Sequence, residues 1–460
     1  MATDITPPVV KIDDVTATRE PPGPRLPVAV QTPLFGFLRQ YWLPRLRLRY
    51  GDIVRLRVYP GRSVVLLSDV EHIRAVFAGP PSVFHAGEGN VILKPAMGEH
   101  SVLLTDEAVH LRARKLLMPA FNGASLRGYR DMITELAEAE VRRWPSGRAF
   151  SSHLRMQELT LEVILRVVFG VSRGPRLDEL RHLLRRIVDL NPVDLIGWYN
   201  PKFQKIGPWR RYALTQRRVD QLLYAEIAER RRVTDLDERH DVLSRLLTVS
   251  ARAEDEAPLT DAELRDQLIT LLLAGHETTA TALAWALHEL ARDPVELDKA
   301  VRAADDGDDK HLEAVIKEAM RLHPVISEVA RRLKRDIQIG DIRISKGHTV
   351  MPSISLVHSD SAHHPDPDRF RPERFLGSGP ASGTWFPFGG GVRRCLGAGF
   401  SLLEAVIMLR AILTHHRIAP DRPRRERTKP RNITMVPARG ARLVTSPRKI
   451  TESHNSTRIA

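Results

Sequence analysis

Through most of the chain, apolar residues return every three or four positions, the period that places them on one face of an α-helix. The segments "DMITELAEAEVRRW", "SSHLRMQELTLEVILRVVFG", "RRVDQLLYAEIAERRR" and "AGFSLLEAVIMLRAILTHH" all read this way. Alternation with period two is confined to short stretches. "DIVRLRV" and "SVVLLSD" flank Tyr59-Pro60-Gly61-Arg62 and predict an early hairpin. "DIQIG" and "DIRIS" meet at Gly340-Asp341 and predict a second, and "MVPARGARLVT" offers a third. The expected fold is mainly α with a small β-rich lobe.

The clearest helix opens at Thr260, where Thr-Asp-Ala-Glu forms a capping box whose side chains satisfy exposed backbone amides. Its apolar pattern runs to about Arg292, on the order of 50 Å at about 1.5 Å per residue. The middle of this helix is odd. "LLLAGHETTATALAW" sets Gly275, Glu277, Thr278 and Thr279 into a segment apolar on nearly every side. Glycine costs a helix interior roughly 1 kcal/mol relative to alanine, and a buried carboxylate costs more unless paired. Two readings account for the defects. A threonine hydroxyl turned onto the carbonyl of Ala274 bends the helix and opens a polar notch. Alternatively, small residues let a second helix approach closely, with Glu277 in a salt bridge.

The helix "KHLEAVIKEAMRLHP" ends at Pro324 and carries Glu318 and Arg321 three apart, a spacing common to surface ion pairs. "HPDPDRFRPERF" (364–375) has no regular period and reads as an ordered, irregular loop. Near the start, "LFGFLRQYWLPRLRLRYG" (34–51) is amphipathic and basic. It reads first as a surface helix with its apolar side inward, and peripheral contact with a membrane is the second reading.

No long linker divides the chain, so residues 26–448 are expected to form one catalytic domain. Residues 1–25, polar and rich in proline, are expected to be a flexible N-terminal segment, and 449–460 ("KITESHNSTRIA") a flexible tail. No stretch approaches the roughly 18–20 apolar residues of a membrane span, and no basic region followed by an apolar core opens the chain. A cytoplasmic location without a transmembrane anchor follows as the expectation. The formal charge of +14 over 460 residues suits nucleic acid, an anionic membrane or an acidic protein partner. Helix-turn-helix spacing, zinc fingers and aromatic-basic strand patterns are missing from the sequence, which argues against nucleic acid.

The chain has one cysteine, Cys395, in "FPFGGGVRRCLGAGF". One thiol excludes an intrachain disulfide and multi-cysteine metal sets. It stands just before an apolar helix, whose positive end and backbone amides stabilise a thiolate. Gly389, Gly390 and Gly391 let the backbone bend tightly beside a flat ligand, Phe388 can cover the sulfur, and Arg393 and Arg394 supply cations. Such a loop makes a nucleophile or a metal ligand, and a buried inert cysteine is the plain alternative. Phosphate-loop and dinucleotide-loop spacings are not met.

"FGGGVRRCLG" resembles the F-x-x-G-x-x-x-C-x-G signature of the cytochrome P450 family, the haem-thiolate monooxygenases. "AGHETT" is similar to that family's oxygen-activating helix motif, "EAMR" to its E-x-x-R, and "PERF" to its meander motif, all in family order. The resemblance implies a P450 fold and haem b with Cys395 as the axial thiolate. By the same resemblance Phe388, Gly391 and Gly397 shape the cofactor loop, and His110, Arg114, Arg331 and Arg393 meet the propionates. Ala274 and Gly275 leave room for dioxygen, Glu277 and Thr278 deliver protons, and Glu318, Arg321 and Arg374 form a structural ion cluster. His110 replaces a tryptophan common among relatives, Ser401 replaces a usual alanine, and His276 fills a variable position, read as a spectator.

Expected partners are dioxygen, a lipophilic substrate such as a fatty acid, terpenoid or sterol-like molecule, and an acidic ferredoxin or flavodoxin with its reductase. The last would dock on a basic surface of Arg112, Lys115, Arg393 and Arg394. Val91, Ile92, Leu93 and Met97 are expected along the substrate loop, with Ser327 and Glu328 near a polar group, backbone or solvent. The alternatives are a haem-thiolate peroxygenase or isomerase and, from charge alone, a nucleic-acid-binding or regulatory protein.

Overall fold

The structure, a computed structural model, describes residues 10–12, 15–59, 61–170, 174–188, 206–252 and 257–448. The predicted tail 449–460, Pro7, Pro8 and the turn residue Pro60 lie outside the described residues.

The first two hairpins form where alternation predicts them. Ile53–Val58 pairs antiparallel with Arg62–Leu67, and Ile337–Ile339 with Ile342–Ile344 across Gly340. The first hairpin joins a five-stranded sheet through a parallel contact between Arg62–Leu67 and Thr349–Pro352; Arg331–Leu333 and Phe84–His85 complete it. The third predicted hairpin is a different object. Thr434–Pro437 pairs with Thr428–Arg431, whereas Arg442–Pro447 pairs with His416–Pro420 and Phe150–Ser151. Alternation marks both halves of "MVPARGARLVT" as strands but cannot name their partners, and each finds one outside the segment.

Part of the N-terminal segment expected to be flexible is docked on this lobe. Val10–Lys11 adds to the Ile337–Ile339 edge, the Thr16 amide donates to Gln338 Oε1 at 3.0 Å, and Arg19 pairs with Asp341 at 2.7 Å. The Arg55 amide donates to the Pro22 carbonyl at 2.7 Å.

The larger lobe is helical. Its axis is Asp261–Leu290, capped by Thr260 with both halves of the capping box formed: Glu263 N donates to Thr260 Oγ1 at 3.2 Å and Thr260 N to Glu263 Oε2 at 2.8 Å. Ser152–Phe169, Gly207–Arg230, Asp309–Leu322 and Ala398–His415 pack around it. From Leu264 to Leu290 every residue is buried except Leu273, Ala274, Gly275 and Thr278. Ala398–His415 is the one helix among the described residues long and apolar enough to cross a membrane, a length the apolar pattern had not promised; 67% of it is buried inside the fold.

Glu318 and Arg321 are not a surface pair: both side chains are fully buried. Arg321 Nε and Nη2 donate to the two Glu318 oxygens at 2.7 and 2.8 Å, Arg374 Nε adds 3.2 Å, and the Arg371 amide adds 2.9 Å. The remaining Arg321 donors reach the carbonyls of His358 and Arg369. This network fixes the helix to the irregular segment 364–375. Glu318→Ala leaves the buried Arg321 and the half-buried Arg374 without their counter-charge and is expected to cost roughly 3–5 kcal/mol in denaturant unfolding. Glu313→Ala removes only a half-exposed pair with Lys317 and is expected to cost less than about 1 kcal/mol. Equal losses in the two variants would overturn the assignment.

Candidate active site

The cysteine loop is built on a short turn, Gly391–Arg393, that closes with the Cys395 amide donating to the Phe388 carbonyl at 2.9 Å. Gly391 has φ 63°, and a Cβ there would lie 1.9 Å from the Phe77 carbonyl oxygen; at Gly390 a Cβ would strike the Phe77 ring. These two glycines therefore seat the loop against the helix Val70–Ala78. That is a tighter demand than clearance beside a flat ligand. Trp385, which sequence reasoning passed over, donates to the Lys317 carbonyl at 3.3 Å and packs edge-on to Phe388 at 6.0 Å. It joins the loop to the helix that carries Glu318.

Cys395 keeps accessible surface although protein crowds it on nearly every side. Burial pushes its pKa up; the Gly397 amide and the Arg394 and Arg114 guanidinium groups oppose this without reversing it. The bare sulfur rests as a thiol. A thiolate here needs a further positive partner on the sulfur itself, which is what a metal ligand has.

Facing this region is a dehydrated cationic wall. Arg331 is buried, stacks over the Phe77 ring and donates to the Ala330 carbonyl at 2.9 Å. Burial, then repulsion from Arg393, holds its pKa to about 10 against the attraction of Asp106. Arg393 is likewise held to about 10, chiefly by burial; it donates to the Val102 and Thr105 carbonyls and pairs with Asp106. His110 is buried and kept neutral, its pKa lowered to about 4 by burial and by Arg393 and Arg114. Arg114 donates to the Arg394 carbonyl at 2.8 Å. Asp106 is the carboxylate that acts on Arg331 and Arg393 in this wall. Buried guanidinium groups crowding one carboxylate, beside a thiol that needs a cation, fit a haem with its iron and two propionates.

In the central helix, Thr278 Oγ1 donates to the Ala274 carbonyl at 2.9 Å, and both residues are among the four between Leu264 and Leu290 that are not buried. Glu277 is clamped, as the salt-bridge reading expects. It accepts from Gln157 and from Arg431 Nη1 at 3.2 Å, with His153 Nε2 at 3.8 Å. A Cβ on Gly275 would meet the Ile164 side chain at 3.0 Å, so its missing side chain serves close approach of the helix Ser152–Phe169, the second of the two sequence readings. His276 is a core histidine whose Nδ1 donates to the Leu272 carbonyl at 2.6 Å. Thr279 meets Ser401 at 3.0 Å. Nearby Glu404 is fully buried; the Thr279 hydroxyl gives it slight support, no bond of good geometry reaches its oxygens, and burial pushes its pKa well up.

The expected substrate loop is stapled to this helix. His100 N and Val102 N donate to Asp266 and Gln267 at 2.9 and 3.1 Å, and Thr270 bonds Ser101 at 2.7 Å. Val91, Ile92 and Leu93 are half-buried and Met97 is buried. Glu328 does not face solvent: it accepts from Ser327 and Ser355 and lies 3.7 Å from Arg39. On the outer side of the cysteine loop, Arg112 is committed to Glu263 and Arg393 to Asp106. Lys115 and Arg394 remain exposed beside a surface depression lined by Leu111, Arg114, Met118 and Val392. Asp106, Gln157, His153 and Arg431 went unread in the sequence. Asp106 has a weak local signal, an acid just ahead of a helix, while the other three have none.

The family model described as Cytochrome P450 matches residues 21–444. The chain is 49% identical over 431 residues to cytochrome P450 135A1 of Mycobacterium tuberculosis, covering 93% of this chain and 96% of that one. It is 43% identical over 444 residues to cytochrome P450 135B1 of Mycobacterium bovis, covering 95% and 94%. Among solved structures, retinoic acid bound cyanobacterial CYP120A1 superposes with a TM-score of 0.80 at 23% identity, covering 94% of this chain and 100% of that one, a likeness of fold.

The histidines flanking the notch set an acid limit on the fold. Burial lowers the pKa of His153 to about 3 and of His276 to about 4, and the unfolded chain takes up these protons near pH 6.5. Their contribution is therefore complete above about pH 6.5 and is lost as pH falls toward 4, on the order of 3 kcal/mol per group at full titration. The thermal midpoint is expected to hold steady from pH 8 to 7 and to fall steeply below 6. A midpoint unchanged at pH 5 would show that these groups titrate normally.

Proposed function

The chain belongs to the cytochrome P450 family and is a haem-thiolate monooxygenase, and from that premise we propose that Cys395 is its iron ligand, within one catalytic domain spanning residues 26–448. The observation that carries this is the pairing of a desolvated thiol with a desolvated cationic wall. Haem held by a thiolate supplies activation of dioxygen, with one oxygen atom going to the substrate. The chain does the rest. Gly397 donates its amide to the sulfur, and Phe388 and Gly391 hold the loop closed. Arg331, Arg393, Arg114 and neutral His110 receive the propionate carboxylates, with Asp106 sharing Arg393.

Ala274 and Thr278 form the open window of the central helix. Thr278 holds a proton at Oγ1 in the notch, and Glu277, oriented by Gln157 and Arg431, resupplies it through water. Gly275 lets the helix seat close to its neighbour. The apolar loop around Val91–Leu93 and Met97 favours a lipophilic substrate of the fatty-acid, terpenoid or sterol kind.

P450 chemistry requires dioxygen, a small-molecule substrate and a redox partner. For the last we propose an acidic ferredoxin or flavodoxin, working in the cytoplasm and seated over Leu111, Met118 and Val392 with Lys115 and Arg394 at the rim. The retained Glu277–Thr278 pair favours reductive oxygen activation over peroxygenase or isomerase chemistry.

The deciding experiment is the spectrum of the reduced protein with carbon monoxide. The parent is expected to show the strongly red-shifted Soret band of a thiolate-ligated haem, and Cys395→Ser to lose it; an unchanged band in the variant removes Cys395 from the iron. Thr278→Ala is expected to keep that band and the substrate-induced spectral shift while diverting most reducing equivalents to peroxide, at least about tenfold more per turnover. Coupled turnover by the variant would take Thr278 out of the proton path.

A further inference from the structure

The N-terminal helix Val28–Tyr50 is apolar on two sides. One side, Leu43 and Leu46 with Phe35 and Trp42, packs on Val54, Leu56, Val64 and Leu66 of the first hairpin. With that side covered, a second apolar line remains. Val30, Phe37, Tyr41 and Leu48 follow one another at intervals that return to the same face of a helix. They are 41%, 48%, 48% and 88% exposed. Pro33 and Pro44 lie along the same line and Leu38 beside it, all exposed. From Val30 to Leu48 the line is about 27 Å long at about 1.5 Å per residue.

Charge on this face has one sign. The helix contains no aspartate or glutamate. Arg45 and Arg49 are exposed at its end, and Arg25 and Arg57 at its start, where Arg57 reaches the Leu26 carbonyl. Tyr59, 66% exposed, is held beside the first turn by its amide bond to Thr32 Oγ1 at 3.0 Å. The carboxylates bonded into this region, Glu20, Asp52, Asp360 and Glu328, are each paired with Arg55, Arg47 or Arg39.

We propose that this face is a docking surface for an anionic lipid bilayer. The line Val30, Phe37, Tyr41 and Leu48 settles into the headgroup boundary, and Arg25, Arg45, Arg49 and Arg57 meet lipid phosphates. An apolar line bordered by cations and free of acids is the pattern of a helix lying in the membrane plane, with tyrosines at the headgroup level. A second copy of the chain fits less well, since a two-fold pairing of this face sets arginines against arginines at both ends.

The test is sedimentation of the full-length, haem-loaded protein with vesicles of phosphatidylcholine alone and of phosphatidylcholine mixed equally with phosphatidylglycerol. Binding to the mixed vesicles is expected. It should fall at least about tenfold in Phe37→Asp/Leu48→Asp and again in Arg45→Glu/Arg49→Glu, with the carbon monoxide spectrum and thermal midpoint of each variant unchanged. The proposal is overturned if the parent ignores anionic vesicles. It is equally overturned if the aspartate pair binds like the parent, which would reduce the effect to net charge, or if ultracentrifugation shows a dimer that the aspartate pair dissolves while vesicles go unbound.

Discussion

A fully buried carboxylate sets the position of the cysteine loop. Glu318 is fully buried and accepts from Arg321, Arg374 and the Arg371 amide, so the helix Asp309–Leu322 and the segment 364–375 share one fixed point. In a dehydrated setting such a network tolerates little displacement, because each lost bond leaves a stranded charge. The cysteine loop takes its register from the same helix: Trp385 donates to the carbonyl of Lys317, the residue before Glu318. The irregular run between the two anchors needs no secondary structure of its own, since both of its ends are tied to one rigid element.

That closed cluster differs in kind from the charges beside the cysteine. At Glu318 the donors and acceptors balance. Around Arg331, Arg393 and His110 they do not: burial lowers the pKa of each, and Asp106 is the counter-charge that opposes it. A protein keeps so costly an arrangement where an anionic, oriented ligand completes it. The raised pKa of Cys395 speaks the same way, since an isolated thiolate at that site is unfavourable and coordination to a metal removes the penalty. The two demands, a cation on the sulfur and anions on the wall, are met together by one molecule.

What was legible in the sequence was local. The capping box at Thr260, the hydroxyl of Thr278 on the carbonyl four residues back, and the Glu318–Arg321 fork all lie within about one helical turn, where spacing determines geometry. Cys395 was legible because glycines, arginines and the helix start are its immediate neighbours. Contacts across the chain were not. Arg431 meets Glu277 from 154 residues away, and Asp106 meets Arg393 from 287. Neither Arg431 nor Asp106 carries a pattern naming its partner. Gly275 shows the same limit: a missing side chain declares close approach, but only the fold names Ile164 as the neighbour.

Two helices show why average apolarity is a poor guide to membrane contact. Ala398–His415 has the length and composition of a span, yet it lies mostly inside the fold and carries Glu404 into the core. Removing it to a bilayer would expose the faces that hold the central helix and the helix Gly123–Val141 in place. Val28–Tyr50 has too many arginines to span, but its outward line is apolar for five turns, with the exposed cations Arg45 and Arg49 at its C-terminal end. Hydrophobic stabilisation follows the area that leaves water, so the decisive quantity is apolar surface still exposed after folding. On that measure the buried helix offers little to a membrane, and the less hydrophobic one offers a face.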